Sequence, residues 1–431
     1  MLDRPIRRMA ALAAVSALTL AACGGDDDDS SEVTTPVVTD ATPPTEAGGG
    51  DTTPESPDTT PASGEPVKIA ALTSLTGNFG PWGIQLQDGM KLAVAEINAA
   101  GGAGGRPLEL VVADDQSNAE EGVSQLERLI EDGVVAAGGI ISSDVAVAAA
   151  QVAEESSVPL FLVKAGTPAA LTAASRYTFR TCLPSAPMVA GPVLQYVEAQ
   201  GLTKVGAIIA DYGWGRAIEA ALNDTFADTG VELQIEVAPV GETDFTTYLR
   251  SLDEFGPEII VATGHPPGTG AIVTQSADLG LEVPITGSYT PFGLVAGGAG
   301  EAAIGRYADF KCADIDSPEY QDMAKRFFEI SDNTWMSDDA VAGYGIVTAV
   351  AEAVAAVGDD PAAIAEYLHG ASVESPGYAF PLTWTEWGEL AEAAPILYML
   401  AEGPAPDGVN EAGTWYPELL NRTAALEPYQ P

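Results

Sequence analysis

The chain has 431 residues and a formal net charge of −44, from 62 acidic and 18 basic side chains. That surplus excludes nucleic acid, whose phosphates it would repel, and a peripheral electrostatic hold on anionic lipid. The length is enough to bury a sizeable core and, by size alone, suggests about two or three domains.

Arg4, Arg7 and Arg8 precede an apolar run from Met9 to Ala22. The run is shorter than the roughly 20 apolar residues a membrane span takes, and it reads as a secretory signal over residues 1–22. Leu20-Ala21-Ala22-Cys23 followed by Gly24 resembles the bacterial lipobox, which implies cleavage before Cys23 and a lipid on its sulfur. An ordinary signal peptide with an incidental cysteine is the alternative. Residues 23–66 hold no basic side chain, the acidic run Asp26 to Asp29, and otherwise mostly Thr, Pro, Ser, Glu and Gly. Such a composition cannot bury enough surface to offset chain entropy, so a disordered tether is expected there. The aspartate run reads as solvated charge and not as a metal site.

From Val67 the pattern changes. Val67, Ile69, Ala70, Ala71 and Leu72 make the short apolar run of a strand buried on both faces of a parallel sheet. Met90, Leu92, Ala93, Val94 and Ile97 fit one side of a helix that Asn98 and the glycines around Ala103 end. Pro107 to Ala113 gives a second strand ending at Asp114 and Asp115. The cycle repeats: strands are expected at 134–141, 158–163, 177–181, 205–210, 231–237, 258–262, 284–286 and 306–311. Helices are expected ending near Ser156, over Pro187 to Gln200, up to about Gly230, near 244–255 and 269–280, and again near 318–330, 338–357 and 361–369. Alternating β and α over this length argues for doubly wound α/β sheets. In such sheets ligands sit outside the carboxyl ends of the strands. That rule nominates Thr73 to Trp82, Ser142 and Ser143, the Lys164 to Thr167 loop (with Ala165 and Gly166), Tyr212, His265 and Tyr289.

Several blocks in order carry a resemblance: LTGNFGPW at 75–82, AEINAAGG at 95–102, ELVVADDQS at 109–117, YTFRT at 177–181 and FPLTW at 380–384. Together they resemble leucine/isoleucine/valine-binding proteins, the type I solute-binding subunits of ABC importers. The resemblance implies two Rossmann-like lobes joined by a three-strand hinge, with residues 67–181 plus 313–380 in the first lobe and 182–312 plus 381–431 in the second. It also makes Cys182 and Cys312, the two cysteines after Cys23, a candidate disulfide, because both fall where the family's chain crosses between lobes. Ser142 and Ala165-Gly166-Thr167 align with blocks that hold a ligand's α-carboxylate and amine. Trp82 aligns with an aromatic wall, and Tyr212 with a tyrosine that closes from the second lobe.

Two departures stand out. Tyr289 aligns where the leucine-type proteins carry an acidic partner for the ligand's ammonium, and Lys164 stands where a small residue or proline is expected. They open the ligand class to carboxylates, amides or aromatic compounds. Serines before a helix are also ordinary caps, and a lone aromatic is more often core. No enzyme is indicated: the two histidines, His265 and His369, lie far apart, no Cys/His cluster has zinc spacing, and no phosphate-cradling glycine motif occurs. The expectation is an exported, monomeric lipoprotein, held at the outer face of the membrane through Cys23, that hands a small polar ligand to an ABC permease. It needs no cofactor and no metal. A sensor module on the same fold, reporting to a receptor, is the alternative.

Overall fold

A computed structural model describes residues 61–266, 268–287, 289–405, 410 and 413–431. The signal, Cys23 and the tether up to residue 60 lie outside the described residues. Residues 61–66 already lie against the turn that follows the first helix: Ser63 N–H donates to Gly105 O at 2.9 Å, and Arg106 Nε to Glu65 O at 3.0 Å.

The first lobe is built on β1 (Val67–Thr73), α1 (Gly80–Ala99), β2 (Leu108–Asp114), α2 (Ala119–Glu131), β3 (Ala136–Ile140), α3 (Ser143–Ser156), β4 (Leu160–Leu162) and β5 (Thr178–Arg180). Its five parallel strands run in the order β2-β1-β3-β4-β5. Along β1, Ile69 and Ala71 face one core layer and Ala70 and Leu72 the other, which is why the run carries no polar alternation. The second lobe follows with α4 (Ala186–Ala199), β6 (Lys204–Ala210), α5 (Gly213–Phe226), β7 (Glu232–Ala238), α6 (Thr246–Phe255), β8 (Ile259–Thr263), α7 (Thr269–Asp278), β9 (Ile285–Thr286), α8 (Phe292–Ala299) and β10 (Tyr307–Lys311).

The chain then returns to the first lobe as α9 (Pro318–Ile330), α10 (Asp338–Val357) and α11 (Pro361–Gly370). α10 packs along α1 at glycine-mediated distance: a methyl on Gly89 would sit 2.0 Å from Ala340 O, and one on Gly343 2.2 Å from Leu86 O. Finally β11 (Ile396–Glu402) adds antiparallel to β10 and β12 (Trp415–Arg422) antiparallel to β11, completing a second sheet of order β12-β11-β10-β9-β8-β6-β7. Three crossings therefore join two α/β lobes. Cys182, after β5, and Cys312, after β10, form a disulfide with Cα atoms 5.3 Å apart, tying the first two crossings together.

Candidate functional site

The carboxyl ends of β1 and β2 build one wall. Asp114 accepts from Leu75 N–H at 2.8 Å and from the Thr76 hydroxyl at 2.7 Å. Asp115 accepts from the Ser74 hydroxyl at 2.6 Å. Burial raises the Asp115 carboxyl's pKa despite that bond, and the bonds from Thr76, Gln116 and Leu75 outweigh burial to lower that of Asp114. The two aspartates fix the 74–79 loop and so place Phe79 and Trp82, whose ring centroids are 5.9 Å apart. Trp82 is buried and its indole N–H has no partner among the described residues.

The second wall belongs to β3, α3 and the 164–167 loop. Ser142 occupies the N-cap position of α3 with extended backbone, yet its side chain makes no capping bond. A simple cap is therefore not its role, and the first turn of α3 keeps backbone donors unspent. Ser143 Oγ lies 3.4 Å from Thr167 N. Arg180, fully buried, donates to the carbonyls of Ala165 and Thr167 and pairs with Glu389 at 3.0 Å. It holds the loop from beneath.

The second lobe comes to meet these walls. Tyr212 and Phe79 face each other at 5.2 Å between ring centroids, and Gly213 N–H donates to Asp144 at 3.0 Å. Trp214 packs on Gly166 so closely that a methyl there would sit 2.2 Å from its Cζ3 atom. Burial, then the nearby Asp144 charge, pushes the Tyr212 phenol's pKa upward, so it stays neutral. Tyr289 is buried with a left-handed backbone (φ 62°), and its hydroxyl has no partner among the described residues. His265 lies deeper in the second lobe, edge-on to Phe245 at 5.1 Å and 3.4 Å from Ala238 O. Burial depresses its pKa to about 4, so its ring is neutral near pH 7. The structure thus brings Trp82, Ser142, Ser143, Ala165, Gly166, Thr167 and Tyr212 onto facing walls. His265 lies apart from them, inside the second lobe.

Lys164 is neither solvated nor free. Its ammonium donates to Asp338 at 2.7 Å and to the Tyr289 carbonyl at 2.7 Å, and lies 3.4 Å from Asp339. Burial works against its charge, but Asp338 and Asp339 outweigh it and raise the pKa. Lys311 and Asp309 form a second buried pair at 3.1 Å, with Asp309 also accepting from the Tyr289 and Thr290 N–H groups. Three carboxylates therefore share two ammonium groups. Burial outweighs Lys164 in setting the Asp339 pKa, which rises to about 7. Trp214, Asp309, Asp338 and Asp339 were not singled out from sequence, whereas Phe79 falls inside the nominated Thr73 to Trp82 stretch. For Trp214 a signal existed, since it shares the DYGWG loop with Tyr212.

A sequence profile of the periplasmic binding protein family matches residues 66–399. Leu/Ile/Val-binding protein homolog 1 of Brucella suis is 30% identical over 305 residues, 68% of this chain and 80% of that protein. The leucine-, isoleucine-, valine-, threonine- and alanine-binding protein of Pseudomonas aeruginosa is 24% identical over 322 residues, 73% of this chain and 85% of that one. Among solved structures, the substrate-binding protein LivJ of Streptococcus pneumoniae in complex with isoleucine superposes with a TM-score of 0.70 at 22% identity, covering 83% of this chain and 99% of its own. An ABC-transporter solute-binding protein of R. palustris in complex with benzoate gives 0.71 at 21% identity, covering 85% and 98%. The relatives are thus named for binding branched-chain amino acids, the two solved neighbours are transporter solute-binding proteins, and the family is periplasmic by its description. The chain belongs to the periplasmic binding protein family.

Proposed function

We propose that this chain is a solute-binding lipoprotein that captures a small carboxylate-bearing molecule between its lobes and delivers it to an ABC permease. The observation that carries the reading is the start of α3. Its N-cap hydroxyl is unspent, and the turn lies beside the interlobe contact of Asp144 with Gly213. A helix N-terminus with free donors favours an anion. Trp82 Nε1 and Tyr289 OH are further uncommitted polar atoms, one from each lobe. Thr167, Ala165 and Gly166 supply the adjoining wall, and Phe79, Trp82 and Tyr212 supply apolar area for the rest of the ligand.

The mechanism is equilibrium closure: a ligand touching both walls favours the joined lobes by its differential affinity for that state. Attachment through Cys23 holds the monomer at the outer membrane face, beside the permease, and the site transforms nothing. The test is a thermal-shift and calorimetric screen of the full chain with isoleucine, leucine, valine, benzoate and a fatty acid. A bound ligand at 100 times its Kd adds about 2.7 kcal/mol to stability. A saturable shift with at least one carboxylate, and its recovery unchanged by mass spectrometry, is the expected result. Silence from all of them, or a chemically altered ligand, overturns the reading.

A further inference from the structure

A second recess lies between the lobes, apart from the walls just described. It is a groove of about 770 Å³ running between α8 and the start of β12 on the second lobe and the 334–335 segment on the first. Two tryptophans, Trp335 and Trp415, and two exposed carboxylates, Glu301 and Glu402, line it, and among the described residues no lysine or arginine does. At Gly293 and Trp415 the groove adjoins a cavity of about 10 Å³, which Asp338 and Lys311 also line. Asp338 is 2% exposed; its Oδ2 is held by Lys164, and its Oδ1 has no partner among the described residues.

The parts are preorganised. Gln85 of α1 donates to Trp335 O at 2.9 Å and accepts from Ser337 N–H at 2.8 Å, fixing the strip that carries Trp335 and Asp338. Trp335 in turn lies on α8, where a methyl on Gly293 would sit 2.0 Å from its ring. The cavity has the volume of about one water-sized group, which is also the size of an ammonium head. Lys311 does not claim Asp338, because its ammonium is engaged by Asp309 and the Thr290 carbonyl. With three buried carboxylates against two lysines, the cluster is short of one proton or one cation.

We propose that this recess is a binding site for an organic cation with a primary ammonium head. The head enters the small cavity and donates to Asp338 Oδ1, and an aromatic or methylene body lies along Trp335 and Trp415. Indole faces favour cations and apolar bodies alike, and Glu301 and Glu402 add attraction at the mouth. The site takes residues from both lobes, so its occupant stabilises their joined state. This goes beyond carboxylate capture at α3 and does not depend on it.

The probe is tyramine, titrated calorimetrically into the full chain, with 4-ethylphenol as the analogue that lacks the ammonium and carries no carboxylate for the α3 site. Tyramine should bind and the analogue should not. Trp415→Ala, which removes only a half-buried indole, should weaken tyramine by about tenfold, and Asp338→Asn by at least as much. Glu402→Gln, which leaves the fold untouched, should weaken it about twofold and flatten its salt dependence. Equal binding of the two probes, no binding of tyramine at millimolar concentration, or tyramine affinity unchanged in folded Trp415→Ala protein overturns the proposal. Because Ser142→Ala should leave tyramine affinity unaltered, its failure is distinguishable from failure of the α3 site.

Discussion

Gly166→Ala probes the joined state directly. The new methyl would sit 2.2 Å and 2.6 Å from two ring carbons of Trp214, so the ring must move. Trp214 is 2% exposed, and its indole N–H donates to Thr263 at 2.9 Å, which leaves it little freedom to yield. Overpacking of this kind costs about 1–3 kcal/mol. Gly166 and Trp214 belong to different lobes, so the cost falls on the joined state and the parted state escapes it. Ligand affinity should therefore drop about 5- to 150-fold, with each lobe's own stability retained. Calorimetric titration of wild type and variant with the ligand from the carboxylate screen measures the drop, and small-angle scattering should show a larger radius of gyration for the unliganded variant. A control methyl at Gly89 would strike Ala340 O at 2.0 Å within the first lobe and should lower the melting temperature instead. An affinity for Gly166→Ala within about twofold of wild type would refute the reasoning.

Three further outcomes follow from the buried charges and the staple. Lys164→Met strands Asp338 and Asp339 without their ammonium and should cost about 3–5 kcal/mol in denaturant unfolding, with Asp338→Leu added to it recovering part of the loss; a cost under about 1 kcal/mol would contradict the pairing. The double variant Cys182→Ala/Cys312→Ala frees a loop with sequence separation 130 and should lose up to about 5 kcal/mol, read as a fall in melting temperature. His265 has a depressed pKa, so the native state binds fewer protons than the unfolded chain and its contribution falls away as pH drops from 6.5 through about 4. Asp339, raised to about 7, works in the opposite sense, losing its contribution as pH rises from 3.8 through that value. The stability of wild type minus that of His265→Gln should accordingly grow between pH 4 and 6.5 and level above it; a flat difference would mean His265 is solvated.

The α/β frame was legible because its strands are buried on both faces and write continuous apolar runs, as Val67–Thr73 and Ile259–Thr263 do. Boundaries moved by a residue or two: β3 and β4 are shorter than the apolar runs 134–141 and 158–163, since their flanks turn into loops. α8 went unread, because its glycine-rich Phe292–Ala299 stretch is a poor helix on propensity and is held by packing against α7 and Trp335. The loops proposed as walls were nominated by the carboxyl-end rule, which needs only the place where each strand ends. Lys164 could not be placed from sequence, since Asp338 lies 174 residues away and only the return of α10 to the first lobe joins them. Trp214 was missed for a related reason: its importance lies in the absence of a side chain at Gly166, a complementarity invisible along the chain.

The most direct test of the two-lobe capture account is a crystal structure of the full chain with the carboxylate that the screen selects. The account predicts one ligand between Trp82 and Tyr212, its carboxylate at the first turn of α3 within hydrogen-bonding reach of Ser142. A carboxylate bound elsewhere, with that turn left empty, would contradict it.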